Sequence, residues 1–216
     1  MPALSFSFLR QRYFLPMKII CVQNNYASSG AVLSAAPSFY IKPDSALLQK
    51  NQPFFYPDFS SEIACGLELV VKINRLGKNI QSKFAHKYYS EVALALNFTA
   101  LDVLAEAKAN GNPWTMATGF DNSAAISPFV DLAEIGKGMQ DLNFQLKKDN
   151  QIILNGSAAD MLHSVNDIVA YVSQFMTLKI GDYIFTGSPM PAEKVVIDNS
   201  LEASLEGKTL LHCRIK

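Results

Sequence analysis

Residues 62–73, EIACGLELVVKI, decide the fold. The stretch is apolar, lacks proline and reads as one long strand ending in the polar turn 74–78. Residues 92–99 form a second strong strand, and 101–109 continue as a helix closed by Asn110-Gly111. Upstream, 19–23 is β-rich, 23–30 is a polar loop, and 39–41 is a short strand stopped by Pro43. Residues 43–61, with prolines at 43, 53 and 57, read as loop. Downstream, 142–147 and 152–154 flank Lys148-Asp149-Asn150 as a hairpin. The clearest helix is 167–176, capped by Ser164 with Asp167 three residues on; Ile168, Val169, Val172, Phe175 and Met176 make its apolar face. Residues 183–186, 195–197 and 210–215 complete the strands. Many strands with two or three helices predict an α+β protein, mostly β, built on antiparallel or mixed sheets.

The chain has 216 residues, 49% hydrophobic and 18% charged, enough for one domain with a real core. Nineteen basic residues balance nineteen acidic ones, which argues against nucleic acid or an anionic membrane surface as partner. Cys21, Cys65 and Cys213 are too few and too unpatterned for a disulfide framework or a zinc site. His86, His163 and His212 are too scattered for a histidine metal centre. No window reaches the ~18 apolar residues of a membrane span, so a soluble, cytoplasmic protein is expected. Residues 1–16, MPALSFSFLRQRYFLP, do not match the chain behind them. Arg10 and Arg12 split their apolar run, unlike a secretory signal. They read as a disordered extension or an upstream mis-start, with Met17 opening a single domain over 17–216. No phosphate-cradling glycine loop and no GxSxG elbow is present.

Longer pieces of sequence carry more. The ordered set Asn25-Tyr26, Phe39…Lys42-Pro43, Glu68-Leu69-Val70-Val71, Thr99-Ala100…Asp102, Pro113-Trp114, Gly119-Phe120-Asp121, Gly181-Asp182 and Thr186-Gly187-Ser188-Pro189 resembles the fumarylacetoacetate hydrolase family. The resemblance runs from Met17 to the C-terminus. It implies a mixed β-sandwich roll, usually a homodimer, that uses Mg²⁺ or Mn²⁺ to polarise a diketo or 2-oxo acid before carbon–carbon cleavage, decarboxylation or isomerisation. The implied metal centre is a Glu-x-Glu pair on one strand plus an Asp on the next. Positions i and i+2 of a strand share a face at roughly 7 Å, so two carboxylates can converge on one hard cation.

On that pattern Gly66 replaces the first glutamate, Glu68 keeps the second, and Asn97 replaces the aspartate. The family's histidine falls on Ser29, its arginine on Leu101 and its lysine on Thr118, so no residue is assigned as catalytic. Tyr26, Lys42, Asp102, Thr186, Gly187 and Ser188 remain as substrate-cleft candidates. Mg²⁺ or Mn²⁺ is the implied cofactor, expected to bind weakly or not at all.

Each residue also has a plainer reading. Glu68 is a residual ligand or a hydrogen-bonded remnant, and Cys65 a small buried hydrophobe. Asp160 and His163 form an acid–base dyad or, more simply, His163 sits at a helix cap. Asp102 orients the loop or caps the following helix. Three functions are compatible with these residues. The chain is a weak or silent family member, retained as homodimer or as heterodimer with an active paralogue. It is an active metal-dependent hydrolase, decarboxylase or isomerase of a small oxo acid. Or it is a non-catalytic ligand-binding module.

Overall fold

The computed structural model describes residues 18–27, 36–48 and 52–216. The expectations for residues 1–16, Met17 and Ser29 lie outside them.

In chain order the strands are β1 (Ile19–Gln23), β2 (Ser38–Lys42), β3 (Leu47–Leu48), β4 (Ile63–Lys72), β5 (Glu91–Ala100), β6 (Ala124–Ile126), β7 (Val130–Asp131), β8 (Asn143–Lys148), β9 (Gln151–Ser157), β10 (Tyr183–Phe185), β11 (Glu193–Lys194), β12 (Ser200–Leu205) and β13 (Lys208–Arg214). The helices are α1 (Ser82–Ala85), α2 (Leu101–Ala109), α3 (Thr115–Thr118), α4 (Leu132–Ile135) and α5 (Val165–Phe175). One sheet runs β2-β1-β10-β4-β5-β6-β3, with β11 also on β4 and β7 also on β5; a four-stranded sheet runs β13-β12-β8-β9. The larger sheet is mixed, since β1 pairs with β10 and β3 with β6 in parallel. The result is an α+β, mostly β, sandwich-like roll.

β4 and β5 form its spine, paired antiparallel from Ile63↔Ala100 to Val71↔Val92. Both are buried on both faces, which is why they read as near-continuous apolar runs. The pleat sends Cys65, Leu67, Leu69 and Val71 into the larger core, against Ile168 and Val169 of α5 and Leu146 and Leu201 of the smaller sheet. Val70, Ala93 and Ala95 enter a smaller core with Ile19, Cys21 and Phe185 on the other face. Gly66, Glu68 and Asn97 fall on this second face.

The β8–β9 hairpin turns through Asp149 and Asn150 at φ of 51° and 65°, left-handed values that short polar side chains tolerate. α5 begins at Val165. Ser164 caps it as expected, accepting from the Asp167 N–H at 3.2 Å and donating to the Asp167 carboxylate at 2.6 Å. Ile168, Val169 and Val172 are buried, but Phe175 is exposed, its ring edge-on to Phe39 and Tyr171.

Three expectations need correction. The expected strand 195–197 is displaced. The chain pairs with β4 at Glu193–Lys194, Val195 closes the ladder onto Ile63, and Val196 and Ile197 are exposed. Apolar content there does not mean burial. Ser200–Leu205 is a strand that the sequence reading passed over, although Leu201, Ala203 and Leu205 alternate inward. The presumed loop 43–61 contains β3, too short to show a period. Among the described residues no helix is long and apolar enough to cross a membrane.

Candidate functional site

Register brings the three implied ligand positions together. Gly66 faces Asn97 across the β4–β5 ladder, and Glu68 follows two residues along the same face. They line a cavity of about 250 Å³ with Tyr26, Tyr40 and Ser188. Met190, Pro191 and Ala192 form part of its rim.

Glu68 is only 4% exposed, and both its carboxylate oxygens are engaged. Asn97 Nδ2 donates to Oε1 at 2.7 Å, and the Gly187 N–H donates to Oε2 at 2.8 Å. The second bond explains Gly187. Its φ of 91° suits glycine, and a Cβ there would lie 3.2 Å from the Asn25 Cβ. Asn97 Nδ2 also donates to the Tyr40 hydroxyl at 3.0 Å. The Tyr40 hydroxyl can donate as well as accept and lies 3.4 Å from Asn97 Oδ1, so the Glu68 carboxylate alone favours the amide with its nitrogen toward it. Burial pushes the Glu68 carboxyl up to about 7, against the pull of the Asn97 and Gly187 hydrogen bonds and the Lys42 charge.

Lys42 is fully buried beneath this cluster and does not line the cavity. Its Nζ donates to Phe98 O at 3.0 Å, Ser123 O at 2.8 Å and Ser123 Oγ at 3.0 Å. Three acceptors suit an ammonium, although burial lowers its pKa to about 8. Between that value and the ordinary 10.5 the unfolded chain binds more protons than the native one. Stability therefore rises with pH across this window, and the full cost of the buried charge is present below it. Relative to Lys42→Met, the wild-type urea unfolding free energy should rise by up to about 3 kcal/mol from pH 8 to 10.5. A flat difference would show that the ammonium is not desolvated.

The other candidates separate. Tyr26 and Ser188 line the cavity, whereas Thr186 donates its hydroxyl to Leu69 O at 3.0 Å. Asp102 lies outside it. It accepts from Ser60 Oγ at 2.6 Å and the Ser61 N–H at 2.7 Å, tying that loop to the start of α2. Desolvation raises its carboxyl, but these bonds outweigh it and hold the value at about 2. Leu101 opens α2, its N–H bonded to Glu62 O, and also lies outside the cavity. Thr118 lines a neighbouring cavity with Phe39, Tyr40 and Trp114, its hydroxyl bonded to Trp114 O. No side-chain bond joins Asp160 to His163; the His163 backbone is held instead by Asn25, at 2.9 and 3.2 Å.

Two residues were not among the site candidates, although Asn25 stood in the set that carries the resemblance. Asn25 staples the end of β1 to His163 and Thr186 and so positions Tyr26. Tyr40 stands two residues before Lys42 on β2, and that period of two was the available signal.

The model of the family described as "Fumarylacetoacetate (FAA) hydrolase C-terminal" matches residues 18–216. The chain belongs to the fumarylacetoacetate hydrolase family. It is 31% identical to an oxaloacetate tautomerase of Escherichia coli (strain K12) over 197 residues, 89% of this chain and 90% of that one. A crystal structure of a family protein from Yersinia pestis CO92 superposes with a TM-score of 0.87 at 32% identity, covering 94% of this chain and 95% of that one. The fumarylpyruvate hydrolase of Pseudomonas aeruginosa, solved with Mn²⁺ and pyruvate, superposes with a TM-score of 0.85 at 25% identity, covering 93% and 89%.

The donor set here fits a divalent ion less well than the three carboxylates that the resemblance implies. A hard cation needs several oxygen ligands, among them one or two carboxylates. This face offers one carboxylate already bonded to two N–H groups, an amide turned nitrogen-first, and a glycine. Among the described residues no three His, Cys, Asp or Glu side chains converge.

Proposed function

We propose that this protein keeps the family scaffold and a small-molecule cleft but does not run the family's metal-dependent chemistry on oxo acids. One observation carries the reading: Glu68 is the sole carboxylate among the three ligand positions, each of its oxygens accepting one N–H, with Asn97 and Gly66 at the other two. Lewis-acid polarisation needs an open metal position beside the substrate oxygen. The groups expected to move protons fare no better, since the Thr118 hydroxyl is tied to a helix carbonyl in a different cavity.

The test is an assay of the purified protein for oxaloacetate tautomerisation, oxaloacetate decarboxylation and acylpyruvate cleavage, with and without Mn²⁺. Rates should stay at background, and 1 mM Mn²⁺ should leave the melting temperature unchanged. A Kd of 100 µM would add about 1.4 kcal/mol at that concentration and be visible. Metal-dependent turnover lost in Glu68→Ala would overturn the proposal.

The same reading places the protein in the cytoplasm, supported by three cysteines that are buried and unpaired. It also makes the chain a homodimer, or a heterodimer with an active paralogue, supported by exposed Phe55, Phe59, Val196 and Ile197. Sedimentation should give about twice the 23.8 kDa chain mass; a monomer at micromolar concentration would count against it.

A further inference from the structure

Nineteen cations balance nineteen carboxylates over the whole chain, but not over every face. Residues 74–90 and 174–181 carry five cations, Arg75, Lys78, Lys83, Lys87 and Lys179, and no Asp or Glu. The fold sets these two segments side by side. The Gly181 N–H donates to Ile73 O at 2.8 Å, and Gly77 and Leu178 exchange both backbone bonds, at 3.0 and 2.8 Å. Leu76 and Ile180 lie between these two ties and are 63% and 60% exposed. The α1 segment continues the face. The Asn74 N–H donates to Tyr88 O at 2.9 Å, and the Arg75 guanidinium lies 5.9 Å over the Tyr88 ring. On α1 the exposed Phe84 ring has the Lys83 and Lys87 ammoniums 4.9 and 5.1 Å from its centre.

Two features separate this face from an ordinary solvated one. The first is that its cations are unpaired. Lys18, Lys72, Lys137, Lys147, Lys148 and Lys194 each meet a carboxylate, whereas none of these five does among the described residues. Lys78 reaches only Gln174 O, at 3.0 Å. Asp167, on the helix packed against α1, has its carboxylate engaged by the Ser82 and Ser164 hydroxyls. Asp182 is fully buried and paired with Lys18. The second feature is that Leu76, Phe84 and Ile180 stand exposed among the charges. An anionic bilayer satisfies both at once: its headgroups meet the cations, and its acyl boundary takes the apolar tips. Nucleic acid would meet the cations but gives two aliphatic tips little apolar surface to enter.

We propose that this face docks the protein on membranes that carry anionic lipid, holding it at the surface without crossing. The inference is independent of what the cleft does.

The test is co-sedimentation of the full chain with phosphatidylcholine vesicles, with and without about 30% phosphatidylserine. Wild type should bind the anionic vesicles at least about tenfold more tightly than the neutral ones, and raising the ionic strength from about 0.1 to about 0.5 M should weaken that binding about fivefold. Lys83→Glu with Lys87→Glu should weaken it at least about tenfold, whereas Lys108→Glu with Lys208→Glu, the same charge change elsewhere, should cost less than about threefold. Leu76→Ser with Ile180→Ser alters no charge and should still weaken binding about fivefold. Every substituted side chain is exposed, so the variants should melt like wild type. No binding to either vesicle, equal binding to both, or binding untouched by the Lys83 and Lys87 changes overturns the proposal. Binding that is lost with these charges but indifferent to Leu76 and Ile180 marks a site for a soluble polyanion and overturns it as well.

Discussion

Replacing Asp182 with alanine should lower the unfolding free energy by about 3–5 kcal/mol, since two backbone donors lose their acceptor at about 1–3 kcal/mol each and a half-buried ion pair is lost. Asp182 is fully buried. Its Oδ1 accepts from the Lys18 backbone N–H at 3.2 Å, and its Oδ2 accepts from the Lys179 N–H at 2.7 Å and from the Lys18 ammonium. The turn that presents it passes through Gly181 at a φ of 94°, and its own carbonyl accepts from the Ile73 N–H at 2.8 Å. The carboxylate thereby fixes the entry to β1 and the turn before β10, while the backbone carbonyl ties in the end of β4. Without the carboxylate, two backbone donors lose their acceptor, and the Lys18 ammonium is left with Thr177 O and solvent. Urea denaturation measures the effect, and the melting temperature should fall on the order of 10 °C for a domain of this size. A loss under about 1 kcal/mol would mean that water reaches these donors and the cluster is not a structural tie.

The second large effect concerns the lost metal ligands. Gly66→Glu with Asn97→Asp would put three carboxylates on one face, yet this double variant should not bind Mn²⁺. A Cβ at position 66 would lie 2.9 Å from the Ser188 Cβ and 3.1 Å from its Oγ. Neither atom is the end of a flexible chain, so the strand or the loop must shift, at about 1–3 kcal/mol for an overpacked site. Adding Ser188→Gly removes both obstacles. The triple variant should be less stable than wild type without metal, because three carboxylates then repel. It should gain about 2.7 kcal/mol when Mn²⁺ reaches a hundredfold its Kd. Turnover should remain absent, since missing acid–base groups cost on the order of 10²–10⁴ each. Mn²⁺ binding by the double variant would show that Ser188 yields easily. Oxaloacetate turnover by the triple variant would show that the acid–base machinery survives elsewhere in the cleft.

That β4 and β5 are strands was legible in the sequence because both are long and apolar. That Gly66, Glu68 and Asn97 belong to one site came from the family resemblance, and the register that sets Gly66 opposite Asn97 is visible only in the fold. Side chains whose neighbours arrive from distant segments were not legible. Lys42 looked like a cleft residue, but its direction is set by Phe98 and Ser123, which reach it from β5 and the segment before β6. Asp102 was read either as orienting the loop or as capping a helix; it bonds Ser60 and Ser61 of the loop and also the Val103 N–H in the first turn of α2, all away from the cleft. β12 was passed over although Ser200, Glu202 and Ser204 alternate with Leu201, Ala203 and Leu205, the pattern of a strand with one face buried.

The pleat of β4 and β5 also divides labour between adjacent residues. Odd positions of β4 carry the packing that makes the protein fold, and the neighbouring even positions 66 and 68 carry whatever chemistry the cleft performs. A change at position 66 or 68 touches the cavity and leaves the larger core intact. Mutational drift can therefore alter the ligand set without emptying that core. The same separation makes this sheet a convenient starting point for installing a new binding specificity by design.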